Sequence, residues 1–82
     1  MTDTQAKCAI AANVRRLLSA RGLTQSDLCR LTGDNAMRVS YMIRGLTEPS
    51  ASFLARVAEA LGVKVDDLLA DPGVEPQAEK VA

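Results

Sequence analysis

The stretch TQSDLCRLTGDNAMRVSYMIRG, Thr24 to Gly45, holds two short apolar patterns joined by Gly33-Asp34-Asn35. Its second half carries Met37, Arg38, Tyr41 and Arg44 where a solvated helix face ordinarily carries Glu, Lys or Gln. A linker of about three residues makes two helices cross steeply and brings their backbones close at the turn. That geometry needs a small side chain midway along the first helix and a residue tolerant of positive φ at the turn. Cys29 and Gly33 stand at those places, and Val39 and Met42 close the corner from the second helix. These are the spacings of a helix-turn-helix.

Outward from this stretch the pattern stays helical. Ile10, Val14, Leu17, Leu18 and Arg21 follow one helix face, and Gly22 is placed to stop it. The second helix is expected from Gln25 to about Thr32, with Thr24 as N-cap and Asp27 in its first turn favouring the positive helix end. The third starts after Asp34-Asn35, either of which can cap it, and ends with Gly45 in the C′ position. Pro49-Ser50 opens a fourth, with Phe53, Leu54, Val57, Ala58 and Leu61 inward and Gly62 closing it. Asp66 and Asp67 begin a short fifth helix carrying Leu68 and Leu69. No strand alternation and no internal repeat is visible. The expectation is an all-α, five-helix domain over residues 1–70. Pro72-Gly73 ends the order, and residues 71–82 form a flexible tail, because VEPQAEKVA has too little apolar surface to offset the entropy of ordering.

Composition narrows the possible functions. Eighty-two residues make one domain, of a size that buries a little over ~60% of its unfolded surface. With Phe53 and Tyr41 as the only aromatics, the core must be Leu, Val, Ile and Ala. No run approaches the ~18 apolar residues of a membrane span. The N-terminal MTDTQAK lacks the apolar region of a signal peptide, so residence in the cytoplasm is expected. There Cys8 and Cys29 remain thiols, and without histidine they do not make a zinc site. No Gly-rich phosphate loop, metal-ligand cluster or catalytic histidine is present. The chain is therefore not expected to be an enzyme, to hold a cofactor, or to have room for a small-molecule ligand domain.

Net charge is zero, but the charges are unevenly placed. Residues 1–47 hold Lys7, Arg15, Arg16, Arg21, Arg30, Arg38 and Arg44 against Asp3, Asp27 and Asp34, a balance of +4. Residues 48–82 carry the opposite balance, −4, from three basic and seven acidic residues. One end can attract phosphate while the other keeps the chain soluble.

On a helical wheel of residues 36–44, Val39, Met42 and Ile43 cluster on one side. Met37, Tyr41 and Arg44 fall opposite, flanked by Arg38 and Ser40. A DNA major groove about 12 Å wide accepts a helix, and there arginine pairs bidentately with guanine while apolar groups meet the thymine methyl. The competing explanation is an ordinary exposed face with incidental Met and snorkelling Arg. It weakens once the helix sits second in a tight helix-turn-helix, because that element projects outward.

LTQSDLCRLTGDNAMRVSYMIRG, followed by EPSASFLARVAEALGVKVDDLL, resembles the Cro and lambda-repressor-like helix-turn-helix domains of phage repressors and xenobiotic-response-type regulators. The resemblance covers about Asn13 to Leu69. It implies that Gln25 hydrogen-bonds a phosphate and braces the recognition helix, and that Arg44 and the loop through Thr47 hold phosphates. Met37, Arg38 and Tyr41 would read bases, Ala36 could meet only a methyl, and Asn35 and Ser40 complete the DNA-facing set. Backbone contacts set register, whereas base contacts supply the sequence choice. The partner implied is an operator duplex bound by a homodimer. The dimer contact in this family lies near the fourth and fifth helices, where Val63, Val65 and Leu68 either form a self-complementary patch or finish the monomer core.

Three departures from the family pattern stand out. Leu18 and Ile43 occupy positions where many members place a buried Arg–Glu pair; both halves are apolar here, so no charge is stranded. Thr32 stands where Leu is preferred, with Leu31 available to supply the missing contact by a slight rotation of the second helix. Asp34 stands where Val is preferred, and if it caps the third helix, that helix begins one residue early and the base-reading set shifts. The function expected is a sequence-specific transcriptional regulator of phage, prophage or plasmid type. The alternative is an antitoxin whose tail neutralises a toxin and whose DNA binding autoregulates.

Overall fold

The computed structural model describes residues 3–71. It has five helices: α1 (Asp3–Arg21), α2 (Gln25–Thr32), α3 (Ala36–Ile43), α4 (Ala51–Leu61) and α5 (Val65–Leu69), with no strand among the described residues. The tail expected at residues 71–82 lies outside the described residues from Pro72 onward, as does the stop at Pro72-Gly73. No helix among the described residues is long and apolar enough to cross a membrane.

Local chemistry fixes the ends of the three central helices. Thr24 Oγ1 accepts from the Asp27 amide and Asp27 Oδ2 accepts from the Thr24 amide, a reciprocal box that starts α2. Asn35 Oδ1 accepts from the Arg38 amide at 2.7 Å, so Asn35, not Asp34, caps α3. The early start that Asp34 would have imposed does not occur, and α3 keeps the register beginning at Ala36. Ser50 caps α4 through the Phe53 amide. At the turn, Gly33 lies at φ 75° and its amide donates to the Cys29 carbonyl at 2.9 Å. A Cβ built on Gly33 meets nothing within 4 Å, so only backbone strain opposes a side chain there. Gly33→Ala is expected to lose about 1–2 kcal/mol in urea unfolding without changing the slope of the transition.

α1 packs against α3 and α5, α2 against α3 and α4, and α4 against α5. The shared core is Ile10, Val14 and Leu18 from α1, Leu28 from α2, Val39 and Met42 from α3, the inner side of α4, and Leu68 from α5. Cys29 is half-buried against it, and both thiols are free. α5 starts one residue earlier than Asp66, with Lys64 at its N-cap; the Asp67 carboxylate accepts from the Lys64 amide at 2.9 Å.

Two points that the sequence leaves open are decided. Leu31 does not rotate inward, since 56% of it is exposed. Thr32 instead satisfies its own hydroxyl, donating to the Leu28 carbonyl at 2.8 Å, so the site needs no apolar substitute. Leu68 is fully buried, which places it in the monomer core and removes it from any surface offered to a second copy. Val63 and Val65 are half-buried against the core.

Candidate nucleic-acid interface

α3 divides into two faces as its sequence dictates. Val39 and Met42 are buried and Ile43 packs beside them, whereas Met37 is 64% and Tyr41 38% exposed. Leu31 on α2 and Leu46 after α3 are exposed as well, so what sets α3 apart is that its apolar and guanidinium groups share one outward face. Ala36, Arg38 and Arg44 are also exposed, as are Gln25 at the start of α2 and Thr47 in the loop after α3; Ser40 is half-buried.

A groove of about 450 Å³ runs between α3 and the α3–α4 connection. Asn35, Met37, Arg38 and Tyr41 line it together with Thr47, Glu48, Pro49 and Ser50 of the connection and Phe53 of α4. The structure thus brings five of the expected residues to one concavity, while Gln25, Ala36, Ser40 and Arg44 lie outside its lining. Asn35 is not idle there, because its carboxamide oxygen holds the Arg38 amide.

Anchors hold α3 from both neighbouring elements. With Leu18 and Ile43 apolar, Arg15 of α1 takes over the tie to the end of α3, its Nη1 donating to the Ile43 carbonyl at 2.7 Å. That carbonyl belongs to the last turn, which lacks an intrahelical donor and carries the negative end of the helix dipole. At the other end, Asp34 accepts from Arg56 of α4 through both oxygens, with Nε and Nη2 at 3.0 Å, and from Arg38 Nη1 at 3.2 Å. Arg56 was not among the residues singled out in the sequence. It is 22 residues from Asp34, and no local pattern joins the two.

The hydrogen bonds from Arg56 hold the Asp34 carboxyl below its ordinary value of 3.8, outweighing the opposing effect of burial, and the charges of Arg56 and Arg38 add to the shift. A depressed carboxyl stabilises the fold above its unfolded value and loses that contribution as pH falls through its native value. The stability advantage of the native chain over Asp34→Asn is therefore expected to be complete at neutral pH and to shrink below pH 3.8. Urea midpoints of the two proteins measured at neutral and acid pH check this; a constant difference would contradict it.

The two guanidiniums of residues 36–44 are thus in different states. Arg38 is tied to Asp34, whereas Arg44, the C-cap of α3, has no acidic partner among the described residues. Arg44 is able to neutralise a phosphate at no cost to an internal pair.

A helix-turn-helix whose second helix exposes apolar and guanidinium groups beside a groove defines a DNA-binding regulator. A family model described as HTH_3, Helix-turn-helix, matches residues 14–68, and the chain belongs to this Cro/lambda-repressor-like family of transcriptional regulators. It is similar in structure to the hypothetical transcription factor NHTF from Neisseria, at 26% identity and a TM-score of 0.82, over 100% of this chain and 91% of that one. An HTH_3 family transcriptional regulator from Vibrio cholerae is 29% identical with a TM-score of 0.79, over 88% of this chain and 41% of that one. The restriction-modification controller protein C.AhdI from Aeromonas hydrophila is 28% identical with a TM-score of 0.70, over 78% and 94% respectively. No match to a curated protein was found.

Proposed function

We propose that the chain is a sequence-specific repressor or autoregulator that binds a palindromic operator as a homodimer, in the manner of phage, prophage or plasmid regulators. The outward face of α3, the second helix of the helix-turn-helix, carries this reading: exposed Met37, Arg38 and Tyr41 stand together there, a set that matches what a major groove accepts. The similar structures described as a transcription factor and a restriction-modification controller support it.

In this reading α3 enters the major groove with Met37, Arg38 and Tyr41 at base edges and Ala36 against a methyl. Gln25, Arg44 and Thr47 fix register on the phosphates. One such helix reads only a few base pairs, too few to outcompete non-specific sites, so two copies bind half-sites about one helical turn, ~34 Å, apart. Val63 and Val65 are the residues proposed to meet across the two-fold axis; Leu68 is not. Occupancy of a promoter by the dimer blocks transcription, with control through protein concentration.

Selection from a random duplex pool with the purified chain tests the proposal. A recovered palindrome with half-sites one turn apart supports both specificity and dimerisation. Recovery of a single unpaired half-site would overturn the dimer, and recovery of no preferred duplex at low salt would overturn the reading itself.

A further inference from the structure

The carboxylate of Asp34 is 9% exposed and receives three guanidinium N–H groups, two from Arg56 and one from Arg38. Both guanidinium carbons lie 5.8 Å from the ring centroid of Phe53, which is itself buried. Two cations gathered on one ring repel each other, and the carboxylate between them makes the arrangement favourable. Arg56 is bound bidentately, a geometry that fixes its plane. Arg38 gives Asp34 one nitrogen only, so most of its five N–H donors stay available at the groove, where 53% of the side chain is exposed.

We propose that Asp34 is a positioning residue for DNA sequence choice: it sets the direction in which Arg38 meets a base and withholds Arg56 from phosphates. The proposal rests on the reading of α3 as the base-reading helix. An unrestrained arginine loses rotamer freedom when it binds, whereas one already ordered does not, so more of its interaction appears as discrimination. Loose arginines also pair with any phosphate and raise affinity for all sequences alike. A single carboxylate at the turn opposes both effects.

Asp34→Asn keeps the shape and removes the charge. The full chain is titrated with its selected duplex, with single-base variants of that duplex, and with a scrambled duplex, each at several salt concentrations. The variant is expected to bind the scrambled duplex more tightly, with a log–log salt slope steeper by about 0.9 for each guanidinium released. Its discrimination at the base pair read by Arg38 should fall about 5-fold or more. Arg38→Ala should lose discrimination at the same base pair, and adding Asp34→Asn to it should lose no more. If the carboxylate only braces the fold, both affinities drop together with the folded fraction while slope and discrimination stay fixed, and the proposal fails. It fails equally if the two losses add in the double variant. A native chain that selects no duplex at all overturns the reading of α3, and this proposal with it, before any variant is made.

Discussion

Asn13→Ala is expected to destabilise the domain by about 2–4 kcal/mol, the largest loss foreseen for any single polar side chain here. Asn13 is a fully buried polar residue in the core. Its Nδ2 donates to the Leu68 and Ala70 carbonyls, both at 2.8 Å, and its Oδ1 accepts from Arg16 Nη2 at 3.1 Å. The two carbonyls lie at the end of α5, a helix of five residues with extended Ala70 at its C-cap instead of a left-handed glycine. α5 therefore lacks the usual route for satisfying its last carbonyls, and a side chain from α1 supplies it. Deleting the carboxamide strands the buried Leu68 carbonyl, which costs about 1–3 kcal/mol, and leaves a void beside it. Asn13→Leu refills the void and isolates the hydrogen-bond contribution. Urea midpoints at constant slope measure both; a change within about 0.5 kcal/mol for both would show that the clamp contributes nothing.

The second large effect is on binding. Arg38→Ala and Tyr41→Ala are each expected to reduce discrimination at one base position by ~1–3 kcal/mol. Arg44→Ala is expected to weaken binding to every sequence and to flatten the salt slope by about one unit. These proposed roles correspond to different places on α3. Arg38 is oriented beside the groove by Asp34, and Tyr41 lines that groove. Arg44 sits at the C-cap, where its amide donates to the Ser40 carbonyl at 3.0 Å, so truncating its side chain leaves the helix end intact. Titrations of a selected and a scrambled duplex at two salt concentrations distinguish the outcomes. Equal losses from all three variants on scrambled DNA would refute the division.

The parts of the fold legible in the sequence are those decided within a few residues. Thr24, Asn35 and Ser50 cap helices through amides three positions on, and Gly33 and Gly62 end them at positive φ. Such interactions leave a pattern of fixed spacing. The alternation of buried Val39 and Met42 with exposed Met37 and Tyr41 is likewise a property of one helix. Most of what the sequence does not display depends on chain segments that meet only after folding. Asn13 reads as an interruption of an apolar face until the end of α5, 55 residues away, arrives above it. By local pattern Asp34 and Asn35 are equal candidates to cap α3, because nothing nearby in the chain signals that Arg56 takes the Asp34 carboxylate. Thr32 is an exception of another kind: its bond to the Leu28 carbonyl spans only four residues, but a threonine hydroxyl that folds back on its own helix leaves no distinct spacing pattern.

The bond from Arg15 to the Ile43 carbonyl has a consequence for how this domain changes over generations. An eight-residue helix has little stability by itself, and its attachment here runs through main-chain atoms, inward side chains and the Arg38–Asp34 pair. None of these is lost when positions 36, 37 or 41 are exchanged. With α3 reading bases as proposed, exchanges at positions 36, 37 or 41 are expected to change the preferred target while the frame keeps its melting behaviour.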